Sequence, residues 1–357
     1  MELAGVENFE EVLQRYERCL RRENDDRPVM HVTAPKKSGP EPPPAPPTLM
    51  ERWFNFEWRL DCHEVWVSRT EYVAEAFPSF LCNLGPDVFV AFLGSELEFA
   101  ESTSWAKFRV KDWAEEPPLK FNPDSHYWKQ MEKFLRLAAQ RGEGKWIVAS
   151  GDIHPNADAL SALRGPENLC LDLIERPDEV RKRLAECFKA FKEVLKRHFD
   201  IIHPHSDGVV TSWIPVPVRG RYAALQNDFS CMVSPQMFRD FFLQWLREEA
   251  AFLDRSIYHW DGPGALPHMD AICSVEGINA IQWVYGEGNG PMSRWIPLLE
   301  ELQERGEGLW ISCGCQETLS IVEALKPQGV IITTHAGSRE EAEALVREVE
   351  KICARKR

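Results

Sequence analysis

The chain has 357 residues, 44% of them hydrophobic and 27% charged, enough to bury a large core as one big α/β domain or two ordinary ones. Its formal net charge of −14 argues against a nucleic-acid or anionic-membrane partner, which would need a basic face. The opening segment lacks the apolar core of a signal peptide and no run approaches a membrane span, so a cytoplasmic protein is expected.

The first predicted element is an amphipathic helix over Val6 to Arg22, within an N-terminal helical arm spanning 1–27. The strand-like Pro28 to Val32 follows. Residues 35–47, PKKSGPEPPPAPP, exclude helix and central strand because proline lacks the donor and fixes φ; they read as a stiff surface excursion inside the domain. Further strand-like runs are Asp87 to Phe92, Trp146 to Ser150, Gly208 to Trp213, Ser256 to Trp260, Asn279 to Val284, Leu309 to Cys313 and Val330 to Thr334. The stretch from 94 to 145 is irregular. Helical spacing is clearest over Pro177 to Phe199, Pro235 to Leu253 after Ser234, Arg294 to Arg305, Glu317 to Leu325, and Arg339 to Cys353 after Ser338. Eight strands alternating with helices predict a single-domain (β/α)8 TIM barrel over 1–357. A doubly wound open sheet is the rival, but no GxGxxG opens a helix after the first strand.

In such a barrel, chemistry sits on the loops after the strand C-termini. Those positions hold Asp152 and His154, then Trp213, then His259 and Asp261 in Tyr258-His259-Trp260-Asp261-Gly262-Pro263-Gly264. Later ends hold Trp283 and Glu287, Cys313 and Cys315, and His335. Residues two apart on a strand point to one side, so His259 and Asp261 stand together. The other reading of such a pair is a hydrogen bond that holds a turn. Trp213, Trp260, Trp283 and Glu287 are the candidate substrate contacts. The ten cysteines form no CxxC pair and are expected as free, mostly buried thiols.

Three chemistries fit this set. Zinc or another divalent ion would take His259, Asp261 and one of His335, Cys313 or Cys315, and would lower the pKa of a bound nucleophile. Metal-free acid/base work would use Asp152 or Asp261 with a histidine moving the proton. A non-enzymatic binding module would use the same residues only to hold a small ligand.

The stretch Asp158 to Gly165, the helix Leu169 to Pro177, the segment Tyr258 to Gly264 and the closing Thr334 to Lys351 resemble the uroporphyrinogen decarboxylase superfamily. The likeness runs from about residue 140 to the C-terminus and more faintly over the rest. It is similar to the single-domain branch near the corrinoid-dependent methyltransferases and implies a (β/α)8 barrel. In the methyltransferase branch a His-x-Cys pair and a later Cys hold zinc. Carried over, the ligands are His259, Asp261 in place of a thiolate, and His335. The decarboxylase branch opens with RPxWxMRQAGR, of which this chain keeps only Arg27-Pro28, so a four-carboxylate porphyrinogen would lack its clamp. The resemblance therefore implies metal-assisted methyl transfer on a small substrate with a corrinoid protein partner, with Asp152 and His154 orienting or protonating that substrate. The alternative is a decarboxylase or lyase that needs no cofactor, with Asp261 or Asp152 paired to a protonated intermediate.

Overall fold

The computed structural model describes residues 1–356. In chain order the strands are β1 (Val29–Pro35), β2 (Thr70–Ala74), β3 (Ser79–Phe80), β4 (Leu97–Phe99), β5 (Ser104–Ala106), β6 (Ile147–Val148) and β7 (Val209–Val210). They continue with β8 (Val218–Arg219), β9 (Tyr222–Gln226), β10 (Arg255–Asp261), β11 (Ile278–Val284), β12 (Leu309–Ser312) and β13 (Val330–His335). Six of them form a parallel run in the order β9-β10-β11-β12-β13-β1, and β2 pairs antiparallel on the free edge of β1. A second parallel piece joins β3 to β6 and, through the bridge between Ala149 and Thr211, reaches β7.

Strand pairing does not link these two pieces into a ring. The edge of β1 is taken by β2, and β7 pairs antiparallel with β8. The fold is mixed α/β with a central parallel sheet, and the expected closed eight-strand ladder is not seen. Asp87 to Phe92, expected as a strand, is instead the short helix Val88–Phe92, with all five residues buried. A five-residue apolar run fits either a buried strand or a buried helical turn, and its period cannot separate them. The strand at that place in the order is the two-residue β3, too short to leave a pattern.

Helices cover the sheet. Phe9–Leu20 turns Phe9, Val12, Leu13 and Tyr16 inward, a shorter helix than the spacing suggested. Pro177–Ile202 begins with proline at its first turn, where the missing N–H is no loss. Pro35 ends β1 rather than following it, and residues 36–47 take no regular element. The chain re-enters a helix at Leu49, where Thr48 and Glu51 cap each other reciprocally. One hydrophobic cluster runs from Leu3 to Cys353. No helix among the described residues is long and apolar enough to cross a membrane.

For the site, the register around β10 matters most. Its neighbours are β9 and β11, and His259 stands level with Gln226 on one side and Gln282 on the other. The irregular stretch after residue 94 folds partly into the β4–β5 hairpin, which carries Trp105 on its second strand.

Candidate active site

The residues after β6 reach the site through a glycine. Gly151 has φ +99°, and a Cβ there would lie 2.7 Å from the ring of buried His198. Only glycine lets the chain leave the strand across that ring. Just beyond it, His154 Nε2 meets Asp152 Oδ1 at 2.5 Å. His154 is 9% exposed. Burial disfavours its charged form, but the charge and hydrogen bond of Asp152, then Asp158 and Asp228, prevail and raise its pKa to about 9. At neutral pH His154 is an imidazolium.

Asp158 sits in the first turn of helix Ala157–Arg164, where a carboxylate is favoured by the helix dipole. Its two oxygens accept the backbone N–H groups of Asp228 at 3.0 Å and Phe229 at 2.8 Å. That fixes the 3-10 turn Asp228–Met232 at the end of β9. Asp228 accepts from Gln226 Nε2 at 2.9 Å. Packing around the Asp228 carboxyl, with Asp158 as the largest charged neighbour and Asp261 and Asp152 beyond, pushes its pKa up to about 7. The side chain still keeps 45% exposure, which limits what burial can do and leaves the neighbouring carboxylates as the main cause.

His259 faces this group from β10. Its Nδ1 lies 2.7 Å from Gln282 Oε1, an acceptor, so Nδ1 carries the proton and Nε2 keeps a lone pair. Nε2 is 4.0 Å from Asp228 Oδ1. Burial holds the His259 pKa below the ordinary value, against the Gln282 bond and Asp261, so the ring is neutral. Trp213 stands edge-on to it, with centroids 5.0 Å apart. Asp87 completes the acidic set. Its Oδ2 accepts from Ala106 N at 2.8 Å, and burial then Asp158 and Asp152 raise its pKa.

The structure thus gathers the sequence-predicted Asp152, His154, Trp213, His259 and Asp261, and adds Asp158, Asp228, Gln226, Gln282 and Asp87. A cleft of about 500 Å³ opens on this cluster, lined by His154, Asp158, Gln226 and Asp228 among others. A cavity of about 450 Å³ between the N-terminal segment and β2 is a weaker candidate. Its Arg15 is paired with Glu75 at 3.1 Å and its Arg339 with Glu343 at 2.8 Å.

Other expected site residues stand elsewhere. Trp260 and Trp283 are each 1% exposed and pack edge to face on one another, and Trp283 also meets Trp295. They alternate with His259 and Gln282 along their strands, so they lie on the opposite sheet face and cannot wall the same cleft. Glu287 is exposed in the turn after β11. The sulfur of Cys313 meets Thr318 Oγ1 at 3.5 Å, and burial pushes the thiol up to about 11. Cys315 donates to the His335 carbonyl at 3.2 Å.

The expected metal ligands are not brought together. His335 is exposed on β13, three strands from β10, with Nδ1 at 3.1 Å from Thr33 Oγ1. Among the described residues no three His, Cys, Asp and Glu side chains are placed to hold a metal ion. The donors present do not make a zinc shell, which needs four positions and at least three protein ligands.

No protein-family model matches the chain, and no curated protein matches it in sequence. Among solved structures, a methyltransferase from Methanosarcina mazei superposes with a TM-score of 0.62, at 13% identity, over 95% of this chain and 98% of that one. At that identity the likeness is one of fold.

Proposed function

We propose that the chain is an enzyme that transfers a methyl group to or from a small substrate held in the cleft at the ends of β6, β9 and β10. The observation that carries this reading is a pair of histidines in opposite protonation states around Asp228: His154, charged, lines the cleft, and His259, neutral, lies 4.0 Å from the Asp228 carboxyl. The match in fold to a methyltransferase over nearly the whole chain supports the reaction class. The superfamily resemblance adds a (β/α)8 barrel as the frame and a corrinoid protein as the methyl carrier.

The two histidines suit the two proton needs of methyl transfer. When a methyl group leaves a heteroatom, that atom takes the electron pair of the broken bond and is stabilised by a proton. His154 holds such a proton, and Asp152 fixes its ring. A thiol or hydroxyl acceptor must lose its proton as the new bond to carbon forms. His259 Nε2 is the lone pair that can take it, with Gln282 holding the ring in that tautomer. Asp228, titrating near neutrality, can pass protons between the two. The donors in the cleft do not assemble a metal site, so no step runs through one. The acidic lining opposes binding of a carboxylate substrate, which disfavours decarboxylation.

The test is methyl transfer by purified full-length protein with free methylcobalamin and a panel of thiol acceptors, followed by the cobalamin absorbance. Protein-dependent loss of the methyl group, abolished in His259→Ala, supports the reading. No turnover with any acceptor, or full turnover in His259→Ala, overturns it.

A further inference from the structure

Whatever binds the cleft meets an unusual lining. No lysine or arginine lines it, while Asp87, Asp158 and Asp228 do. The one cationic side chain, His154, is already matched by Asp152. The rim has the opposite character. Among the described residues seven large hydrophobic side chains stand exposed, and three of them, Trp105 (45%), Phe108 (63%) and Met232 (51%), line this one cleft. Exposed apolar groups collected at one concavity mark a binding surface rather than chance.

A separate observation points to a ligand within it. His154 and Gln226 are more than nine-tenths buried, yet both line the cleft. Each has one polar end bonded to protein: His154 Nε2 to Asp152, and Gln226 Nε2 to Asp228. Neither His154 Nδ1, a donor in the charged ring, nor Gln226 Oε1, an acceptor, is among the sealed and unsatisfied polar atoms of the fold, and the acceptor is the end suited to an ammonium N–H. They are left to meet what enters.

We infer that the cleft takes a cationic small molecule with an apolar body, a substituted or methylated ammonium, its charge against Asp158 and Asp228 and its body against Trp105, Phe108 and Met232. An anionic ligand would face three carboxyl groups with no lysine or arginine to offset them, and a neutral one would gain only the rim. Aromatic faces beside carboxylates recognise such cations because both present negative potential while the rings also bury the alkyl groups. The assignment rests on the methyl-transfer reading for the chemistry that follows, not for the binding itself.

Titration calorimetry of the full chain with three probes of related size tests it: benzyltrimethylammonium, benzyl alcohol and phenylacetate. The cation should bind at least tenfold tighter than the alcohol, and phenylacetate should not bind. Asp228→Asn should weaken the cation at least fivefold and leave the alcohol unchanged, whereas Trp105→Ala should weaken both. Asp87→Asn, in the same lining, repeats the charge test if the turn at 228 is disturbed. Phenylacetate binding as tightly as the cation, or charge-removing variants that leave the cation's affinity unchanged, would overturn the assignment. Cation binding without methyl turnover overturns the methyl-transfer reading alone. Turnover on neutral or anionic acceptors without cation binding overturns this one alone.

Discussion

Two groups of strands carry polar ends, and the two edges of the fold they form behave differently. At β6, β9 and β10 the ends converge: Asp152, Asp158 and Asp261 stand close enough to bias the protonation of His154, Asp228 and His259. At β12, β13 and β1 the residue types look at least as reactive, with Cys313, Cys315 and His335. There each side chain makes a local hydrogen bond to a threonine or a backbone carbonyl. Residue type alone does not make a site. Convergence of charges in a partly desolvated cleft does.

The largest effect that separates the two edges is expected from Asp158→Ala. It strips the acceptor from two backbone N–H groups of the 228–232 turn, which should cost about 2–3 kcal/mol in urea unfolding. A loss under about 0.5 kcal/mol would show that the turn does not depend on this carboxylate.

Next comes Asp152→Asn. The His154 pKa is raised in the fold, so its stabilisation is fully present below about pH 6.5 and is lost as pH rises through about 9. The wild type should therefore lose up to about 3 kcal/mol from this group across that window, because each tenfold change in proton affinity is worth about 1.4 kcal/mol. In Asp152→Asn the slope should flatten, and the His154 resonance should titrate below pH 7. An unchanged His154 titration would break the ion-pair account.

Gln282→Leu should have a smaller effect, about 1–2 kcal/mol, because it leaves the His259 Nδ1–H without its acceptor. The tautomer preference should also relax, visible in the imidazole nitrogen shifts. The smallest effect belongs to the other edge. His335→Ala and Cys315→Ser each lose one hydrogen bond near the surface and should change stability by less than about 0.5 kcal/mol.

The sequence was legible where pattern and length agree. The strands β1 and β10 to β13 stand out because four to seven consecutive residues carry the burial pattern. Strand β3 has only two residues, and β9, Tyr-Ala-Ala-Leu-Gln, is buried at every position with no alternation to signal it. Missing β9 hid Asp228, since a strand end cannot be read where no strand is recognised. Asp158 was visible only as part of a helix, because its role is to accept from a turn 70 residues later. The four strand-end residues Asp152, His154, His259 and Asp261 were readable from their positions. Trp260 and Trp283 occupied the right strand ends on the wrong face, which the two-residue period of each strand already implied. His335 lay at a correct strand end, but its distance from β10 is a property of strand order that residue spacing does not contain.

One measurement sets the two edges directly against each other. Methyl transfer by the full chain from a methylated heteroatom donor should be compared between His154→Gln and His335→Gln under one set of conditions. The expected result is a loss of roughly a hundredfold or more in His154→Gln, the scale of a general acid, with His335→Gln within about twofold of the wild type. Full activity in His154→Gln together with a collapse in His335→Gln would contradict the account and place the chemistry at the β12–β13 edge.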